Sequence, residues 1–205
     1  MNAPSTSRAG RVRQRGVSLI VVMMVLVIVT ILGIGAAQIS MMGERGARND
    51  RDMQLALQSA EAALMDAAFE IDGPPSVVAR SGSFDAGSIM DFREGCGTGT
   101  SKGLCTPSLS GKPIWQQVDF SDHDKTVAFG EYTGRAMSSA GDAGAELGVM
   151  PAMKPRYVVE ALKDGDVFDD PTKPPRYMYR VTAIGYGPRE SIQAVVQMLY
   201  RKKKD

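Results

Sequence analysis

The run Val17–Ala37, VSLIVVMMVLVIVTILGIGAA, holds 21 residues without a charge, and Ser18 and Thr30 are its only polar side chains. A helix of ~20 apolar residues crosses a bilayer core of ~30 Å. It also closes its own backbone hydrogen bonds, which lipid cannot do for it. A buried core helix is the competing reading, but such helices are usually shorter or more polar. Arg8, Arg11, Arg13 and Arg15 precede the run, with no acid before Val17. A basic flank stays cytoplasmic, so everything downstream is predicted to be exported. The run then has two fates: a secretory signal cut in the small-residue region Gly35-Ala36-Ala37, or a retained anchor. It exceeds the ~7–15-residue apolar core of a signal, which favours the anchor.

A length of 205 residues predicts one exported domain behind that anchor. Lys+Arg at 24 nearly balance Asp+Glu at 23, so the chain offers no argument for a nucleic acid partner. Four segments follow: a cytoplasmic basic leader at 1–16, the membrane helix at 17–37, an amphipathic continuation at 38–72 and a loop-rich, β-sheet domain at 73–205. In the third, Gly43 to Asp52 is polar and marks the exit from the membrane. Met53, Leu57, Ala60, Leu64, Ala67 or Ala68, and Ile71 then recur at helical spacing as one apolar stripe. Glu61, Asp66 and Glu70 fall off it. Asp72-Gly73-Pro74-Pro75 predicts the stop, with Gly73 in the left-handed cap position. A single helix from Ser18 to Ile71 would be on the order of 80 Å long. A plain single-pass protein more often follows its span with a linker, so this continuity weighs against a secretory signal.

Residues 73 to 113 are rich in Gly, Ser and Pro and read as loop. They hold the only cysteines, Cys96 and Cys105. An exported, oxidising location predicts a disulfide between them. It would close a loop of about ten residues and stabilise by ~2–3 kcal/mol. A metal or redox pair is the alternative, disfavoured because no His is near and no C-x-x-C is present. The segment 95–103, GCGTGTSKG, has the glycines of a phosphate loop but not its Gly-Lys-Ser/Thr spacing. Ile114–Phe120 and Thr126–Thr133 are predicted as weaker strands, with a small-residue loop over Ser138–Pro151. Arg156–Leu162, Arg176–Gly185 and Ser191–Arg201 are predicted as stronger ones from their alternation and β-branched and aromatic content. Tyr177, Tyr179, Val181 and Ala183 share one face; Ile192, Ala194, Val196, Met198 and Tyr200 share another. Gly187-Pro188-Arg189-Glu190 joins the last two strands as a hairpin.

Catalytic patterns are missing: there is no G-x-S-x-G, no H-E-x-x-H and no paired-carboxylate spacing. The single histidine, His123, sits in a polar Ser-Asp-His-Asp cluster that reads as a surface turn. Asp164, Asp166, Asp169 and Asp170 form an acidic loop whose spacing departs from a calcium-binding EF-hand, so a solvated hairpin tip is the default. Lys202–Lys204 form a basic tail, read as a solvated strand end or as a contact for an acidic partner.

The junction Arg15-Gly16-Val17-Ser18-Leu19-Ile20 resembles the cleavage site of type IV prepilins, where a short basic leader ends in Gly directly before the apolar helix. The resemblance implies cleavage between Gly16 and Val17 by a prepilin peptidase and N-methylation of Val17, so that the apolar helix survives. Gly103-Leu104-Cys105, with Pro107 and Trp115, is similar to a segment of PilX-type minor pilins. So is the ending RVTAIGYGPRESIQAVVQMLYRK. This implies an α+β type IV pilin fold, a long N-terminal helix packed on an antiparallel sheet. It implies a structural subunit, not an enzyme, with no cofactor. The implied partners are other minor pilins, the major pilin, a tip adhesin, the peptidase and the inner membrane. The implied location is the inner membrane before assembly, with the domain periplasmic, and the pilus afterwards; the implied role is priming of assembly in support of twitching motility and adhesion. One departure is informative. Most type IV pilins carry Glu at the fifth mature position, where the resemblance implies pairing with the terminal amine of the subunit ahead, and certain minor pilins and one tip pseudopilin lack it; here Val21 stands there. A buried carboxylate with nothing ahead to pair with is costly. The substitution therefore fits a place at or near the filament tip, with neutral loss in a low-copy subunit as the simpler account. A tip pseudopilin of a type II secretion system and a secreted or anchored enzyme with an ordinary signal are the rival readings.

Overall fold

The computed structural model describes residues 17–78, 80–85, 89–142, 144, 148–165 and 175–202. The leader, Gly16 included, and Asp166, Asp169, Asp170, Lys203 and Lys204 lie outside the described residues. The chain forms two compact units, residues 1–48 and 49–205. Helix α1, Val17–Asp72, is continuous across that division. The glycines at 43 and 46 do not break it.

In the second unit a sheet faces α1. It comprises β1 (Leu104–Cys105), β2 (Val127–Ala128), β3 (Arg156–Lys163), β4 (Tyr177–Tyr186) and β5 (Gln193–Tyr200), ordered β1-β3-β4-β5 with β2 also on β3. The β2–β3, β3–β4 and β4–β5 pairs are antiparallel and β1–β3 is parallel. The arrangement is the predicted α+β one. The hairpin at 187–190 closes with Gly187 N–H on Ile192 O at 2.8 Å and Ile192 N–H on Arg189 O at 3.0 Å. Tyr179, Val181 and Ala183 are buried in the core facing α1, Thr182, Ile184 and Tyr186 of the same strand are buried as well, and β5 alternates between half-buried and exposed as period two requires. At the centre of that core Tyr179 stacks on Phe92 at 5.9 Å and meets Phe84 edge-on at 5.3 Å.

Four expectations need correction. The buried face of α1 is Ala56, Ser59, Ala60, Ala63, Asp66, Ala67, Glu70 and Ile71, whereas Met53 and Leu57 are exposed. The cause is close approach: a Cβ on Gly185 of β4 would lie 2.2 Å from Ala56 O and Ala60 N. Only small side chains fit between backbones that near, so the large ones turn outward. Gly73 is not in the left-handed region. It is glycine for want of room, since a Cβ would meet Phe69 O and Val78 Cγ2 at 2.4 Å. Ile114–Phe120 is a 3-10 turn over Ile114–Gln116, followed by a Val118 N–H to Ile114 O bond at 3.0 Å. Its apolar residues, Ile114, Val118 and Phe120, cover the outer face of the sheet beside the Cys96–Cys105 disulfide. Thr126–Thr133 forms a strand only over Val127–Ala128, because the chain turns at Gly130, where φ is +79°.

Candidate assembly surface

Within the first unit every large apolar side chain from Leu19 to Ile34 is 52–67 % exposed, on all sides of the helix. Each such side chain gains ~1.5–3 kcal/mol on leaving water. A helix with no polar face is therefore built to be covered completely, by lipid or by other helices. It is long and apolar enough to cross a bilayer. Its one hydroxyl among the described central residues is satisfied internally, Thr30 Oγ1 donating to Leu26 O at 2.6 Å. Val21 belongs to this surface and is half exposed. The apolar run ends where Glu44 and Arg48 pair across one helical turn at 2.5 Å.

The second unit holds the other end of α1 with buried charge. Glu70 is fully buried and accepts from Arg80 Nε and, at 2.6 Å, from the Tyr157 hydroxyl on β3. Arg80 continues the link, donating to Thr100 O at 3.2 Å and Lys102 O at 2.5 Å, with its guanidinium 3.7 Å above the Tyr132 ring. One turn earlier, Asp66 is also fully buried. It accepts from Gly130 N–H at 2.7 Å and the Thr133 hydroxyl at 2.6 Å, with Arg135 at 3.6 Å. Two carboxylates spaced i, i+4 thus fasten α1 to the disulfide loop, to the turn at Gly130 and to β3. Burial, and then the Glu70 carboxylate, push the Tyr157 hydroxyl well above the ordinary tyrosine range, so it stays protonated and keeps donating.

The opposite face of this part of α1 carries Met53, Leu57, Met65 and Phe69, each 37–63 % exposed, in a row of i, i+4 positions interrupted by Glu61. It is an apolar ridge that its own chain leaves largely open, with the Arg135 guanidinium 5.9 Å from the Phe69 ring centroid at its far end.

Of the residues singled out in the sequence, Cys96 and Cys105 are joined in a buried disulfide. Val17 is the first residue of α1. Asp164 binds Arg201 at 2.7 Å. His123 is exposed, and its carbonyl receives Arg156 Nη2 at 3.2 Å. Sequence reasoning missed Asp66 and Glu70 by placing them off the buried face. The signal was there: both share a face with Ala56, Ala60, Ala63 and Ala67, and an alanine face marks close packing as surely as a leucine face marks bulk.

Comparison with known families agrees with this layout. The PilX N-terminal model matches residues 15–64, and the model of the type IV pilus assembly protein PilX C-terminal region matches residues 101–202. No curated protein and no solved structure matches the chain. Together the two models span the apolar helix, its alanine-faced continuation and the sheet: the chain belongs to the PilX family of type IV pilus assembly proteins and is a minor pilin.

Proposed function

We propose that this minor pilin sits at or near the filament tip and joins the pilus by moving one surface, the apolar part of α1, from lipid to neighbouring helices. The observation that carries this is the uniform exposure of Leu19–Ile34. Lipid and packed helices are equally apolar, so the transfer costs little hydrophobic free energy, and van der Waals packing and neighbour contacts decide its direction. Before assembly the N-terminus is cytoplasmic and the second unit periplasmic. Cleavage between Gly16 and Val17 and methylation of Val17 leave the helix intact. Val21 supports the tip position, since a subunit with nothing ahead of it gains nothing from a carboxylate there. The ridge Met53–Phe69 meets helices of neighbouring subunits, other minor pilins and the major pilin. Adhesion and twitching motility follow from the filament this subunit helps to start. Catalysis has no part in it: both buried acids of α1 are committed to structural partners.

Mass spectrometry of the mature chain purified from membranes and from sheared pili tests the reading. The expected terminus is N-methylated Val17 in both fractions. A terminus near Gln38 overturns it, because the transferred surface would then be gone.

A further inference from the structure

We propose that the β3 edge beyond β1 receives an extended segment of another pilus component, apolar with an acidic residue. This rests on the reading of the chain as an assembly subunit. β1 ends at Cys105, opposite Glu160, while β3 continues to Lys163. Val159 N–H points to the β1 side, bonding Gly103 O at 2.8 Å, and Asp164 N–H points to the β4 side, bonding Arg176 O at 2.8 Å. By alternation, Lys163 turns its N–H and C=O to the β1 side. Among the described residues no strand continues β1 along that stretch.

An open groove of about 1050 Å³ lies there. It is lined from both faces of the sheet. Ile89, Ala161 and Tyr177 belong to the core facing α1, and Ile114 belongs to the core on the outer face. A groove that wraps a sheet edge in this way fits a strand, whose alternate side chains would drop to either side of it. Leu109 stands at its mouth, 98 % exposed. The charges lining it are Lys112, Lys163 and Glu94, one net positive. The chemistry of the occupant follows: backbone groups for Lys163, apolar side chains for Ile89 and Leu109, and a carboxylate for Lys112 and Lys163.

The test uses the full chain in piliated cells, with the photoreactive residue p-benzoylphenylalanine at Leu109 and, as a control on the opposite sheet edge, at Val195. The expected result is one crosslink from Leu109 to another pilus component. Tandem mass spectrometry should map it to an extended segment with an Asp or Glu within about four residues. Lys163→Pro removes only the edge donor, because β4 pairs through the alternate residues; it should cut the crosslink at least tenfold. A second variant, Lys112→Glu with Lys163→Glu, should do the same with an unchanged melting temperature. Crosslinking to lipid, to a second copy of this chain, or from Val195 alone overturns the proposal, and so does none at all. Piliation separates the two readings. Pili that depend on the chain without any Leu109 crosslink overturn the groove alone. Pili that form without the chain overturn the assembly role as well.

Discussion

Removing the Glu70 carboxylate tests how α1 is held. Glu70→Ala leaves Arg80, itself 7 % exposed, as a buried guanidinium without its counter-ion. It also deprives the Tyr157 hydroxyl of its acceptor. Breaking one side of a buried pair typically costs ~3–5 kcal/mol. Against a total stability of ~5–15 kcal/mol for a domain, that is about a fifth or more. For a unit of this size the melting temperature should fall by ~6–20 °C, at ~2–4 °C per kcal/mol. The assay is near-ultraviolet circular dichroism of the full chain in detergent micelles. It reports the single Trp115 and the tyrosines of the second unit and is blind to the helix in the micelle.

A double variant sharpens the test. Glu70→Leu with Arg80→Met removes both charges and keeps most of the volume. Apolar replacement of a complete buried pair is often neutral or stabilising. The double variant should therefore lose less than Glu70→Ala alone, with a coupling of about 1–3 kcal/mol in a double-mutant cycle. A Glu70→Ala cost below about 1 kcal/mol, or two losses that simply add, would refute the claim that these side chains act as one fastening.

Other outcomes follow from the same geometry. Gly185→Ala puts a methyl 2.2 Å from the α1 backbone and should cost at least ~1–3 kcal/mol in urea unfolding, unlike Gly165→Ala, which meets nothing within 4 Å. Cys96→Ser should cost ~2–3 kcal/mol and free the Thr100 and Lys102 carbonyls from Arg80; an unchanged unfolding midpoint would count against the loop-closure argument. Alkaline pH should destabilise the second unit. Burial pushes Tyr179 up to about 12, and donation to Asp72, then burial, push Tyr200 up to about 12. A raised pKa gives stability that is complete below pH ~10 and lost as pH rises towards 12, ~2–3 kcal/mol for Tyr179 alone. A urea midpoint that stays flat from pH 10 to 12 contradicts this. Val21→Glu should insert normally and move the subunit from the filament end into the shaft by immunogold labelling; continued end-only labelling would detach Val21 from tip placement.

The three long strands were legible because runs of β-branched and aromatic residues mark β3 and β4, and alternation marks β5, whatever the loops do. The apolar helix was legible because length and absence of charge leave a chain few alternatives. Ala60, Leu64, Ala67 and Ile71 of the predicted stripe lie in or against the core, but Met53 and Leu57 were misplaced on it and Asp66 and Glu70 left off it, because the stripe argument ranks residues by bulk. It assumes that the bulkiest side chains point to the chain's own core. Beside Gly185 the opposite holds: Ala56, Ala60 and Ala63 are buried while Met53 and Leu57 point away, as do Met65 and Phe69 further on, and bulk returns to the core only at Leu64 and Ile71. The reason lies in β4, 125 positions beyond Ala60, where Gly185 admits the helix backbone. A pattern within α1 cannot contain that fact. Nor could it show that Glu70 has Arg80 and Tyr157 as partners, which alone make its burial tolerable. A subunit that assembles through its helix must serve two partners with one cylinder. Small side chains go to its own sheet, where the contact is permanent and backbones approach closely. On the proposed reading most of the large ones, Leu64 and Ile71 apart, are kept for neighbours, where area is what holds the filament. That division predicts that truncating Met65 and Phe69 to Ala weakens assembly far more than it lowers the melting temperature. Equal losses in both would show that the outward ridge is only unburied core.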